Sequence, residues 1–355
     1  MRAPALAVVA GLIATQLGCA KLFARQWEDI EEACQDRFPG DTLVESEARI
    51  YLRRLACYRR FVNLSDLAVT EEVHEATTNH AKYLRENGVL DKEITNLDQV
   101  FVENMNLPFA TGQTVRERLL RTGAVTKGES FWTWDVWLRS FDPRIADEHA
   151  DNPFIRDIVF QPGFAGAGIE LVQTQSSVDA YMNVLFYLGN SDRIDWPVVY
   201  PKDGQSNVKL EWDAGVANPL WGPRITGYPI TITLGASKSR QASNPYQARL
   251  YDAHIYAVGA DGNEREIAYK AVMPQKFSNG SDLLNTIILF PQLPLQSDTE
   301  YRVDVTLGWV DWEEFKLESS FRTLRVGGTS TPRDSSDTSQ PGDSGDSGGP
   351  VDTFD

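Results

Sequence analysis

The composition changes at residues 195–204, and the change divides the chain in two. Before residues 195–204 segments with apolar positions every three or four residues stand beside a strand hairpin; after them, only short alternating runs continue to residue 324 with turn residues between. A period near 3.6 buries one stripe of a helix, whereas a period of two buries one face of a strand. The joint itself reads D-W-P-V-V-Y-P-K-D-G, and its prolines block a helix from running through. The change of composition at this joint predicts two domains. A length of 355 residues allows them at roughly 150 residues each.

In the first region, residues 46–61 read as a helix with Ile50, Leu52, Leu55, Tyr58 and Phe61 inward and Arg53, Arg54, Arg59 and Arg60 outward. Thr70, followed by Glu71 and Glu72, is a helix start, and Asn87-Gly88 is a stop. Residues 166–172 and 179–188 read as an antiparallel hairpin across a Gln/Ser-rich turn. Phe131, Trp132, Trp134 and Trp137 read either as the packed side of a helix or as a flat lining for an apolar or sugar ligand. Helices flanking the hairpin's sheet predict an α-β-α sandwich.

In the second region, alternating runs at 208–212, 230–234, 248–256, 266–269, 286–290, 301–307 and 315–321 have the spacing of a β-sandwich. Tyr301 stands where its hydroxyl would pin the preceding loop. His254 is a single histidine on a strand, and nothing in this region reads as catalytic.

The ends carry different signals. Arg2 precedes an apolar run from Ala5 to Ala14, too short to span a membrane comfortably and suited to an export signal. L-G-C at residues 17–19 resembles a bacterial lipobox, with Gln16 where Leu is usual. Lipidation of Cys19, ordinary cleavage near Ala20 and a retained anchor all imply export. Outside the cytoplasm, Cys34 and Cys57 read most simply as a disulfide, with two buried thiols as the alternative. From residue 326 the chain is rich in Gly, Ser, Thr, Pro and Asp and lacks the apolar surface to order itself. Its G-D-S-G-G-P surrounds Ser347 as in chymotrypsin-like proteases, but no histidine segment accompanies it, so the match is compositional. A net charge of -16 argues against a nucleic-acid partner.

The region from Phe101 to Gly168 carries a resemblance. It contains F-V-E, P-F-A-T-G, G-E-S, W-L-R-S and N-P-F-I-R-D-I-V-F-Q-P-G-F-A-G-A-G. This resembles the cleft region of the CAP superfamily (cysteine-rich secretory, antigen 5 and pathogenesis-related 1 proteins) in its bacterial form. Residues 294–305 and the later F-R-T resemble bacterial immunoglobulin-like domains. The resemblance implies an α+β chain: a signal segment at 1–19, a CAP-like α-β-α sandwich at 27–192, an immunoglobulin-like all-β sandwich at 196–325 and a tail at 326–355. It places Phe101 and Ile155 where relatives have two histidines. Neither side chain offers a lone pair, so the implied cleft is disarmed and holds no metal. The apolar substitutes are expected to pack against each other or the cleft wall.

Glu103, Glu129, His80 and Arg156 are the remaining cleft candidates. Two carboxylates would serve as acid and base, or each glutamate is a hydrogen-bonded structural residue. His74-Glu75 lacks the second histidine of H-E-x-x-H; His80 lies six residues on, roughly 120° around the helix. His80 itself reads as a packing or hydrogen-bonding residue beneath the cleft. His149, in an insertion, reads as an exposed loop residue, with a substitute metal ligand as the alternative. Together these features predict an exported, lipid-anchored, non-catalytic protein at the outer membrane or cell surface, or else periplasmic or secreted. It would bind an apolar or cell-envelope ligand, use no cofactor and touch the membrane only through its anchor. The alternatives are a hydrolase using the paired glutamates and a structural envelope spacer.

Overall fold

The computed structural model describes residues 30–35, 45–129, 131–187, 197–214, 224–234, 248–276, 282–283, 285–309 and 314–326. Cys19 with the export segment, Trp27, Ser130 and the tail with Ser347 lie outside the described residues. The chain is of mixed α+β class. Its helices are α1 (Ile30–Ala33), α2 (Ser46–Phe61), α3 (Glu71–Glu86), α4 (Asp98–Phe101), α5 (Val115–Thr122), α6 (Ile145–Asp151) and α7 (Pro153–Val159). Strands β1 (Phe131–Leu138), β2 (Phe164–Gln173) and β3 (Val178–Tyr187) form an antiparallel sheet in the order β1-β3-β2.

This sheet is covered on both faces. Val73, Ala76 and Leu119 of α3 and α5 pack with Leu185 of β3. On the other face, Leu52, Leu55 and Ala146 of α2 and α6 pack with Ala180, Met182, Val184 and Phe186. The expected hairpin is β2–β3, with Gly168 opposite Asn183. Gly168 has a packing reason: a Cβ there would lie 2.7 Å from Val73 O and 2.4 Å from Thr77 Oγ1. Glycine thus lets α3 lie close against the sheet.

The structure corrects two expectations here. Phe131, Trp132, Trp134 and Trp137 lie on a strand, not a helix. Their segment alternates, and aromatic side chains suit a pleated surface. Accordingly Phe131 and Trp137 pack on the α3 face, while Trp132 and Trp134 pack on the opposite one. On α2, Ile50 is exposed, whereas Arg59 and Arg60 are buried. Arg59 donates to Ser65 O, Val159 O and Gln161 O, and Arg60 pairs with Asp66. Helical periodicity registers charge but not the carbonyls that tertiary packing supplies to it. Cys34 and Cys57 form a disulfide that ties the end of α1 to α2.

The rest is all β: β4 (Val198–Tyr200), β5 (Gln205–Val208), β6 (Glu211–Asp213), β7 (Ile225–Gly227), β8 (Ile230–Thr233), β9 (Ala248–Val258), β10 (Glu264–Glu266), β11 (Tyr269–Val272), β12 (Gln275–Lys276), β13 (Asp282–Leu283), β14 (Thr286–Pro291), β15 (Glu300–Trp309) and β16 (Phe315–Thr323). Two sheets, β10-β9-β15-β16-β5 and β11-β14-β8-β4, supply the buried Ile255, Val303 and Val305, and Ile230, Ile232 and Ile287, of one sandwich core. The expected run at 208–212 is divided between β5 and β6, and that at 266–269 between β10 and β11. Tyr301 OH accepts from Gln296 N at 2.8 Å, so the tyrosine does pin the loop before its strand.

Candidate functional site

The α3 face of the first sheet holds most of the cleft candidates. Alternation along β3 turns Tyr181 and Asn183 toward α3, and the close approach of α3 brings Thr77 and His80 down onto them. Thr77 Oγ1 donates to Val73 O at 2.8 Å and Asn183 Oδ1 at 3.1 Å. Asn183 Nδ2 donates to Asp135 and, at 3.2 Å, to Tyr181 OH. Arg118 reaches in from α5, with Nη2 3.0 Å from Tyr181 OH and Nη1 3.2 Å from Phe101 O.

His80 is fully buried, its ring 4.5 Å from that of Tyr181. Nε2 lies 2.8 Å from Val100 O, which only accepts, so Nε2 carries a hydrogen. Nδ1 then faces Glu103 Oε1 at 2.8 Å. One further proton lies between these two atoms, and the pair is net neutral whichever partner holds it. Glu103 Oε2 accepts from Thr111 N and, at 3.0 Å, from Gly112 N. Burial pushes the Glu103 carboxyl up, but hydrogen bonds from His80, Gly112 and Thr111 outweigh it and leave it below its usual range. Burial raises Asp135 to about 6, with Arg118 and Asn183 opposing.

This arrangement fixes the segment at 100–112 to α3. It presents neither a free imidazole nitrogen nor an unengaged Glu103 oxygen to a substrate. Glu129 has a different setting: its Oε2 accepts from Thr126 N and closes the turn before β1. Phe101 packs beside Leu84 and Tyr181 on the α3 face, while Ile155 belongs to the large cluster with Ala146 and Met182. The two positions are therefore not brought together; of the two expected arrangements, packing against each other is not the one adopted. Among the described residues, no group of three or more His, Cys, Asp and Glu side chains is placed to hold a metal ion.

Arg156 belongs to another site. Its guanidinium is buried where the two regions meet, 4.5 Å from the Tyr200 ring and 5.2 Å from that of Tyr228. It donates to Ala150 O at 2.8 Å, Asp151 O at 3.0 Å and Pro229 O at 3.0 Å. Beside it lies a cavity of about 320 Å³, lined by Tyr58, Asp147, Asp151, Tyr200, Lys209 and Tyr228 among others. Tyr58 OH donates to Asp147 at 2.8 Å, Tyr228 OH donates to Asp151 at 2.8 Å, and Lys209 pairs with Asp151. Sequence reasoning passed over this cavity. Its one signal was Asp147 and Asp151, four apart on a helical segment.

His149, expected in an exposed loop, is buried on α6. Its Nδ1 lies 2.9 Å from Tyr51 OH, and its ring meets Trp134 edge-on. Burial lowers it to about 4. The segment A-D-E-H-A-D looks polar along the chain, but as a helix it turns Ala146, His149 and Ala150 to the core.

No protein-family model matches the sequence, and no curated protein matches it. Among solved structures, the chain is similar to the methionine-rich copper resistance protein PcoC from Escherichia coli, at 13% identity and a TM-score of 0.22, over 35% of this chain and 92% of that one. It is also similar to an outer surface protein from Borrelia burgdorferi, at 14% identity and a TM-score of 0.30, over 40% of this chain and 92% of that one. CopC from Methylosinus trichosporium OB3b gives 9% identity and a TM-score of 0.21, over 38% and 94%. Likeness of this degree carries no function across. Among the described residues, no helix is long and apolar enough to cross a membrane.

Proposed function

We propose that the chain is an exported, non-catalytic protein with a CAP-like first domain and an immunoglobulin-like second one, acting in ligand binding or interaction at the cell surface. The observation that carries the reading is the buried His80–Glu103 pair, whose ring nitrogens and carboxylate oxygens are all engaged within the protein. A general base or metal ligand needs a free lone pair directed at its partner. The hydrolase alternative has little to draw on, because Glu103 is committed to His80 and Glu129 closes a turn. The Arg156 contacts across the junction favour the spacer as a second reading.

Zinc neither co-purifies at stoichiometric level with the chain nor raises its Tm in a thermal melt. Stoichiometric zinc that is lost on Glu103→Gln or Glu129→Gln would overturn the non-catalytic reading. The anchor is tested separately: Cys19→Ala moves the protein from the detergent phase to the aqueous phase in phase partitioning. Unchanged partitioning counts against lipidation.

A further inference from the structure

The cavity where the two regions meet takes its wall from both. The first region supplies Tyr58 of α2 and Asp147 and Asp151 of α6; the second supplies Asn207 of β5, Lys209 and Tyr228. Its volume of about 320 Å³ falls at the small end of the range for small-molecule sites, which occur preferentially between domains. Part of the wall is held rigidly. Tyr58 and Tyr228 are buried, and a carboxylate orients each hydroxyl: Tyr58 OH donates to Asp147 Oδ1 and Tyr228 OH to Asp151 Oδ1, both at 2.8 Å. Arg156 donates to Asp151 O at 3.0 Å and to Tyr228 OH at 3.2 Å. Groups fixed in this way lose little freedom when a ligand arrives.

Hydrogen-bonding capacity is left over in the same wall. Both bonds to the Asp147 carboxylate, from Arg54 and Tyr58, fall on Oδ1, and Oδ2 receives none from the described residues. The Lys209 ammonium has three donors and gives one to Asp151. Asn207 has φ 58, and its side-chain amide makes no hydrogen bond among the described residues.

Charge selects the class of ligand. Arg54 pairs with Asp147 and Lys209 with Asp151, so the two carboxylates are already matched. Arg156 adds a cation, but its five N–H groups all donate within the protein, to Ala150 O, Asp151 O, Pro229 O, Thr231 Oγ1 and Tyr228 OH. An anion would meet both aspartates, and a cation would have to displace Lys209 or Arg54. A neutral molecule that donates and accepts at closely spaced positions meets neither cost. The hydroxyls of a sugar ring do both, and its C–H surface suits a wall that includes tyrosine rings.

We propose that the junction cavity binds one residue of a neutral sugar, with Asp147 Oδ2 accepting, Lys209 donating and the Asn207 amide doing both. The site lies apart from the His80–Glu103 pair and from Cys19, so the outcomes of the zinc and partitioning tests leave it unchanged.

The test titrates methyl glycosides of glucose, galactose, mannose and N-acetylglucosamine into the full chain, in a detergent without a sugar headgroup, and reads binding by saturation-transfer difference NMR. At least one binds and raises the Tm. Asn207→Gly keeps the left-handed backbone and removes the amide, and Lys209→Met removes the ammonium. Each weakens binding by about tenfold, while near-UV circular dichroism stays unchanged, because both side chains are exposed. Absence of binding by every glycoside up to about 10 mM, or binding indifferent to both substitutions, would overturn the proposal. Choline or inorganic phosphate that binds more tightly than every glycoside, with an affinity changed by Lys209→Met, would overturn it and assign the cavity to a charged ligand.

Discussion

On the α3 face of the first sheet, β3 presents Tyr181 and Asn183, and around them Thr77, His80, Glu103 and Arg118 are buried in a hydrogen-bonded group. On the opposite face the same strand presents Ala180, Met182, Val184 and Phe186 to an apolar core. Both faces are closed to solvent, but they are held by different physics. The apolar face tolerates changes of shape at a cost that grows with the cavity left behind. The polar face depends on every partner being present, because an orphaned buried donor loses its hydration with nothing in exchange. Burial of polar residues here is thus better read as positioning than as chemistry: the group orients the loop at 97–109.

The largest test of this contrast is Glu103→Ala. It strands His80 Nδ1 and the backbone N–H groups of Thr111 and Gly112. We expect a loss of about 3–5 kcal/mol, the range for breaking a buried charged pair, measured by urea unfolding. Glu103→Gln retains an acceptor and should lose less, about 1–3 kcal/mol. Equal losses for the two would show that volume, not hydrogen bonding, holds this face.

The next test uses pH. His149, on the apolar face, has its folded value lowered from 6.5 to about 4 by burial. Between these values the unfolded chain binds the extra proton, so its contribution is complete above pH 6.5 and is lost as pH falls toward 4. The full swing is about 3 kcal/mol. His149→Asn offers an acceptor to Tyr51 without titrating, and should flatten that part of the stability–pH curve. A variant curve parallel to the parent's would remove the assignment.

The smallest effect should come from Asp135. Burial raises its folded value from 3.8 to about 6, so in this window the folded chain binds the extra proton. Stability from this group is therefore present below 3.8 and lost as pH rises through 6, the reverse of His149. Because its side chain is part-exposed, Asp135→Asn should stabilise by only about 1–2 kcal/mol above that window, and by nothing in acid. The same variant should steepen the loss of stability on acidification, since it leaves His149 unopposed. Stabilisation that persists at low pH would point to packing instead.

Much of the fold was legible in the residues. The limits of α2 and α3, the β2–β3 hairpin, the alternating strands of the second region and the loop pinned by Tyr301 all follow from local periodicity, turn chemistry and one well-placed hydroxyl. The cysteine pair was legible from their number and the expected export. The site was less so. His80 read as a packing or hydrogen-bonding residue and makes buried hydrogen bonds, but its partner Glu103 lies 23 positions away along the chain, and only the return of the loop onto α3 joins them. Arg156 read as a cleft residue and instead fills the junction, where its acceptor Pro229 O lies 73 positions further on.

What the sequence determined by itself was therefore the kind of each element and the residues able to bury or titrate, because these depend on side chains a few positions apart. Only the tertiary structure decided which buried polar groups meet, that His149 faces the core, and that Phe101 and Ile155 lie apart. Those outcomes depend on contacts between distant segments, and a hydrogen bond's partner is set by where the backbone of another element comes to rest.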